Sequence, residues 1–155
     1  MPDRKPPVSE VRSLFKRPES VLVVVYTVDL DVLLICRQNP AGFWQSVTGS
    51  LERDEDPNEA AQRELLEETG ITQEVVDHRF QRVFPIKAAW KHRYAPGVTD
   101  NLEHEFSVQL PRRVAVKLDP KEHSDYQWLP IVEAIATVSS RSNRAALQNI
   151  LKAEG

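Results

Sequence analysis

The segment from Gly49 to Ile71 constrains this 155-residue chain more than any other stretch. Asp56-Pro57-Asn58-Glu59 is a helix start, with an aspartate at the cap, proline at the first helical position, and a glutamate three residues after the cap that can reach back to it. Gly70 then supplies the tolerance of positive φ that a helix C-terminus favours. The helix predicted between them, residues 57–69, is about 20 Å long. On it Glu64, Glu67 and Glu68 stand at i, i+3 and i+4, three carboxylates on one face within a turn. Ala60, Ala61 and Leu65 are expected to pack on the opposite side. Like charges at this spacing repel, so the helix gains nothing from them unless something positive arrives. Arg63, four residues before Glu67, is placed to orient or partly neutralise it.

Charge is distributed accordingly. Residues 49–71 hold eight acids and two bases, a local −6, whereas the whole chain carries −3 and the remainder is therefore +3. That total disfavours a stable nucleic-acid partner, which calls for a strongly basic surface. A compact acidic cluster in a slightly basic body points to a cation site. Its donors are all oxygen, which suits a hard divalent ion, Mg²⁺ with Mn²⁺ as a possible substitute, rather than zinc. Mg²⁺ held by a few carboxylates completes its shell with water and phosphates, so the chemistry expected is attack of water on a phosphoanhydride.

The rest of the chain reads as one α+β domain. With 41% hydrophobic and 28% charged residues, it has the composition of a soluble protein. No apolar run approaches the ~20 residues of a membrane helix, and residues 1–10 have no signal-peptide core, so a cytoplasmic location is expected. The lone Cys36 excludes an intramolecular disulfide and reads as a small buried hydrophobe. Residues 1–14 are expected to be a flexible extension and 15–155 the single domain. Strands are predicted over 20–28, 32–37, 43–48, 74–86 and 101–110, with shorter ones at 114–117 and 126–129, and helices over 130–138 and 141–152. In 101–110, Leu102, His104, Phe106, Val108 and Leu110 alternate with polar residues, which predicts that Glu103 and Glu105 face solvent.

Gly49-x5-Glu55-x7-Arg63-Glu64-Leu65-x-Glu67-Glu68-x-Gly70-Ile71 fits the Nudix box, GX5EX7REUXEEXGU with U aliphatic, at every defined position. Seven fixed letters match by chance on the order of 10⁻⁸ per start position, so coincidence is excluded. The chain therefore resembles the Nudix hydrolases. The resemblance implies a mixed β-sheet sandwiched between α-helices, Mg²⁺-dependent hydrolysis of a nucleoside-diphosphate-linked compound, metal ligation by Glu64, Glu67 and Glu68, and an Arg63 that holds a glutamate in place. Glu122, in the turn-rich Asp119–His123 stretch, matches the family's further glutamate as metal ligand and base for the attacking water.

Outside the box, Lys16-Arg17-Pro18, Phe43–Ser50, His92–Thr99, Glu122-His123 and Ser142-Asn143-Arg144 resemble the family branch that acts on dihydroneopterin triphosphate. This implies a small-molecule triphosphate as substrate, with Lys16, Arg37, Thr48, Phe84, Pro85, Ile86, Lys87 and Ser140 in contact with it. The rival within the family is a general (deoxy)nucleoside triphosphate pyrophosphohydrolase. A non-catalytic sensor is disfavoured because every box glutamate is present. Residues 79–93 carry five bases and no acid, a candidate phosphate-facing patch. One departure from the branch is Arg141, where it has an aromatic residue.

Overall fold

The computed structural model describes residues 15–154. The predicted extension at 1–14 lies outside the described residues. The hydrophobic runs at Glu19–Thr27 (β1) and Asp31–Arg37 (β2) form antiparallel strands joined by a tight turn in which Leu30 takes φ 62°. Both are buried on their two faces, which explains why their sequences are continuous apolar runs rather than alternating ones. The sheet continues with Trp44–Gln45 (β3), Val47–Ser50 (β4), Val76–Pro85 (β5), Asp100–Leu110 (β6) and His123–Pro130 (β7).

The pairing explains where a site can form. β1 runs parallel to β6 along its whole length, and β5 lies beyond β6. On its other edge β1 meets β2 only at Tyr26↔Val32, and Ser20–Val23 pair instead with β4. β2 likewise meets β3 at Ile35↔Gln45 and pairs with β7 on its far edge. β1 and β2 thus splay apart from their shared turn, and the β3–β4 segment fills the wedge. At the open end of this wedge stand Arg37, Gly49, Ser50 and His123.

Helices cover both faces. Pro57–Thr69 (α1) packs through Ala60, Ala61 and Leu65 on Val21, Val23, Ile35, Phe106 and Val108. Ile131–Thr137 (α2) and Arg141–Glu154 (α3) pack on Leu22, Val24, Val32 and Leu34 of the opposite face. The result is the expected α+β sandwich. The predicted start of α1 is present: Asp56 Oδ1 accepts from Glu59 N at 2.8 Å, Glu59 reaches back to Asp56, and Gly70 ends the helix at φ 77°. No helix among the described residues is long and apolar enough to cross a membrane.

Three expectations change. Val114–Lys117 makes no strand; Val114 and Val116 pack on the core while the backbone stays irregular. Ala88–Arg93 forms a 3-10 helix that no apolar periodicity announces. The third concerns β6, whose polar face is covered as completely as its apolar one: Glu103 is 4% and Glu105 2% exposed. Arg82 of β5 and the α3 side of the sheet close over them, so the alternation marks two buried faces of different polarity.

Candidate active site

α1 places its carboxylates differently from the predicted arrangement. Glu64 and Glu68 lie on the same side as Ala60, Ala61 and Leu65 and are buried with them, whereas Glu67 stays in solvent. A residue four positions on falls under the same stripe of a helix, so 60, 64 and 68 turn together toward the sheet. What makes room is Gly49: a Cβ there would stand 2.1 Å from Glu64 Cδ. The box glycine is thus a requirement of contact. Gly49→Ala is expected to displace the Glu64 carboxylate and lower kcat about 10²-fold, the cost of an ångström-scale misplacement, with metal affinity weakened in parallel. Steady-state kinetics and a metal titration of that variant check this.

Arg63 is the hub of the acidic segment. Its Nε and Nη2 donate to the two oxygens of Glu55 at 2.7 and 2.8 Å, and its Nη1 donates to Glu64 at 2.8 Å and Glu67 at 3.1 Å. Nη2 also donates to the Ser50 carbonyl at 3.1 Å, tying the helix to β4. Glu55 in turn accepts from the Glu52 N–H, so it orders the loop before the helix.

Beyond Glu64, Glu68 meets the start of β7. Its Oε2 lies 2.5 Å from His123 Nδ1, and the Glu122 carboxyl stands beside it. Ligand atoms of Glu68, Glu122 and His123 all lie within 4.8 Å of one another. Two carboxyls converging at this distance need a shared proton or a cation between them. That requirement, with oxygen donors predominating, fits a hard divalent ion. Among the predicted ligands, Glu68 and Glu122 meet directly and Glu64 is near enough to raise the charge around them, whereas Glu67 is turned to Arg63 at the surface. His123 lies in the Glu122-His123 stretch quoted above, but a lone histidine beside a loop carries no pattern that assigns it a role.

The electrostatics match. Burial pushes the Glu64 carboxyl up to about 7, against the pull of Arg63. The Glu68 carboxyl beside it, then burial, raises Glu122 to about 6. Glu103, on the other sheet face, is raised to about 7 by burial. All three bind a proton more tightly folded than unfolded, so their contribution to stability is present below about 4.5 and lost as pH rises through 6–7. In chelator, Glu64→Gln is expected to raise the melting temperature at pH 7.5 and to change it much less at pH 5. A set of thermal melts across that range is the check.

Cations border the acids. Lys16, half-buried beside Arg93 and Arg37, has its amine lowered to about 8, first by desolvation and then by those two guanidinium groups. Its backbone N–H donates to the Arg93 carbonyl at 2.8 Å, which joins the chain before β1 to the 3-10 helix. Arg37 ends β2, and its guanidinium carbon stands 5.2 Å from the Trp90 ring centroid. Lys87 Nζ lies 5.0 Å from Phe43 and 5.3 Å from Trp90, two rings that meet edge to face. The basic stretch 79–93 is therefore not one patch. Arg82 turns inward to Glu105 at 2.6 Å, Arg93 joins Lys16, and Lys87 lies over the aromatic pair.

Of the remaining predicted contacts, Thr48, Phe84 and Ser140 fall on the opposite sheet face. Thr48 sits across from Leu22, its hydroxyl donating to the Val21 carbonyl; Phe84 sits across from Asn101 and is half-buried. Ser140 accepts from the Asn143 N–H at the head of α3. Pro85 is exposed and Ile86 buried.

Buried carboxylates from one capped helix at the open end of a splayed β-sheet, with cations alongside, have the charge arrangement of a hydrolase that acts on phosphoric anhydrides. The NUDIX domain model matches residues 16–149, and the chain belongs to the Nudix family. It is 40% identical over 146 residues to dihydroneopterin triphosphate diphosphatase of Escherichia coli K12, which covers 89% of this chain and 95% of that protein. The namesake protein of Haemophilus influenzae is 35% identical over 143 residues, 88% of this chain and 89% of its own. The solved structure of the E. coli dihydroneopterin triphosphate pyrophosphohydrolase superposes with a TM-score of 0.83, covering 88% of this chain and 96% of that one.

Proposed function

We propose that this chain hydrolyses dihydroneopterin triphosphate to dihydroneopterin monophosphate and pyrophosphate, with Mg²⁺ as its ion and Mn²⁺ as a substitute. The observation that carries the reading is the meeting of Glu68 and Glu122 beside the Lys16–Arg37–Arg93 cations at the open end of the wedge. The likeness to the two bacterial diphosphatases supports the choice of substrate. In this reading residues 15–155 form the single catalytic domain of a cytoplasmic enzyme.

Glu64, Glu67, Glu68 and Glu122 would hold the ion. When bound, the ion offsets charge on the triphosphate and lowers the pKa of water. Arg63 keeps Glu64 and Glu67 in place. Lys16 and Arg37 bind the phosphates, and their positive charge grows in value as pyrophosphate leaves. Glu122 takes the proton of the attacking water at its carboxylate; the new oxygen–phosphorus bond forms as the bridging bond to pyrophosphate breaks. The ring lies toward Thr48, Phe84–Lys87 and Ser140.

The test compares kcat/KM for dihydroneopterin triphosphate with that for the common (deoxy)nucleoside triphosphates under one set of conditions, with pyrophosphate detected. The pterin substrate is expected to lead by at least tenfold. Equal or better turnover of dATP would assign the chain to general nucleotide hydrolysis instead.

A further inference from the structure

The three predicted ring contacts come from separate elements, yet the sheet register brings them to one face. Thr48 of β4 is level with Leu22 of β1, Ser20 of β1 with Glu103 of β6, and Phe84 and Arg82 of β5 with Asn101 and Glu103. Ser140, Ser142 and Asn143 at the head of α3 lie toward the same face, Asn143 bonding to Ser46. Between Thr48 and Phe84 the sheet therefore presents a floor of three polar side chains, Ser20, Asn101 and Glu103, each at least nine-tenths buried.

This floor is incompletely bonded. Among the described residues, five buried side-chain polar atoms have no hydrogen-bond partner. Two of them, on Glu68 and His123, face each other in the metal site. The other three are Arg82 Nη1, Asn101 Oδ1 and Glu103 Oε1, and all lie here. Asn101 spends its amide N–H on Ser20 at 2.7 Å, and Arg82 stands 3.7 Å from Glu103 Oε1, too long for a hydrogen bond. Glu105, one pleat along, is by contrast fully used by His78 and Arg82. A buried acceptor without a donor costs stability, and such atoms in a native protein call for an explanation.

We propose that Glu103, with Asn101 beside it, is the specificity-determining floor of the ring slot. Its free carboxylate oxygen accepts from the ring N–H and 2-amino group of a 2-amino-4-oxo-pyrimidine edge, the edge that pterin and guanine share. The inference deepens the reading above and rests on it for the position of the slot. The floor offers two free acceptors, and its one free donor, Arg82 Nη1, stands 3.7 Å from the carboxylate as its ion-pair partner. A ring edge with adjacent donors satisfies it. An adenine or cytosine edge places a ring-nitrogen acceptor against the carboxylate, which leaves buried groups unpaired and is penalised. Ser140 and Ser142 at the head of α3 are themselves half-buried and Arg141 is exposed.

The test is a calorimetric comparison of GTP with ITP, which lacks only the 2-amino group, with Ca²⁺ replacing Mg²⁺ to suppress turnover. The native protein is expected to bind GTP at least tenfold more tightly than ITP, and Glu103→Gln is expected to bring the two within about threefold. Equal affinities in the native protein, no measurable GTP binding, or a tenfold preference that survives Glu103→Gln would each overturn the proposal. The native arm needs no variant to fold. It also reports on the edge even if dihydroneopterin triphosphate proves not to be the preferred substrate, so the two failures are distinguishable.

Discussion

Glu68→Gln is expected to lower kcat about 10³-fold with saturating Mg²⁺, and to leave the metal-free protein as stable as the parent or more so. Glu68 is 3% exposed and faces two groups, the Glu122 carboxyl and His123. The amide keeps the volume and one acceptor but removes a negative charge from where an ion is to be held, a loss of several kcal/mol at the transition state. The same change relieves repulsion among Glu64, Glu68 and Glu122 when no ion is present. Activity and stability should therefore move in opposite directions. A variant that turns over within tenfold of the parent shows that Glu68 is no ligand, and one that loses both activity and melting temperature points to a packing role instead.

Arg63→Ala is the second large effect, and here both properties fall. The guanidinium is largely buried and holds Glu55, Glu64, Glu67 and the Ser50 carbonyl at once. Removing one side of a buried ion pair strands the other and costs about 3–5 kcal/mol. In a domain of this size that is a drop of roughly 10 °C in melting temperature. With Glu64 and the β4 end released, kcat should fall about 10²-fold too. Arg63→Lys restores a charge but not the fork that grips Glu55 through two nitrogens, so it should recover only part of either loss. Thermal melts and kinetics on the pair of variants decide the point.

These two residues also mark what was legible in the chain. The box is local: capping, the helix stop, and the spacing of Arg63 and the glutamates are all written within 23 consecutive residues, and the helix forms at its predicted bounds. Which way the carboxylates turn was not legible. Gly49 admits Glu64 to the sheet, and a glycine's neighbour across space leaves no mark in the sequence. The same holds for β6. Period-two alternation distinguishes two faces but not which of them is wet, and only the register with β5 reveals Arg82 as the partner of Glu103 and Glu105. The basic run at 79–93 misled for a related reason: a strand and a 3-10 helix send its members to different sides. His123 and the Arg93–Lys16 contact join parts of the chain far apart, with no residue pattern to announce them.

The parallel ladder of β1 with β6, from Glu19↔Leu102 to Thr27↔Leu110, has a consequence for how the molecule comes into being. A parallel pair between an early and a late segment cannot form while the chain between them is still being made, and closing so large a loop is slow. The capped helix is synthesised long before Glu122 and His123 emerge. A nascent chain on the ribosome thus carries its acidic segment without the far wall of the cation site, and Lys16 waits for Arg93. Competence for catalysis arrives only once β7 and the head of α3 have emerged, late in translation.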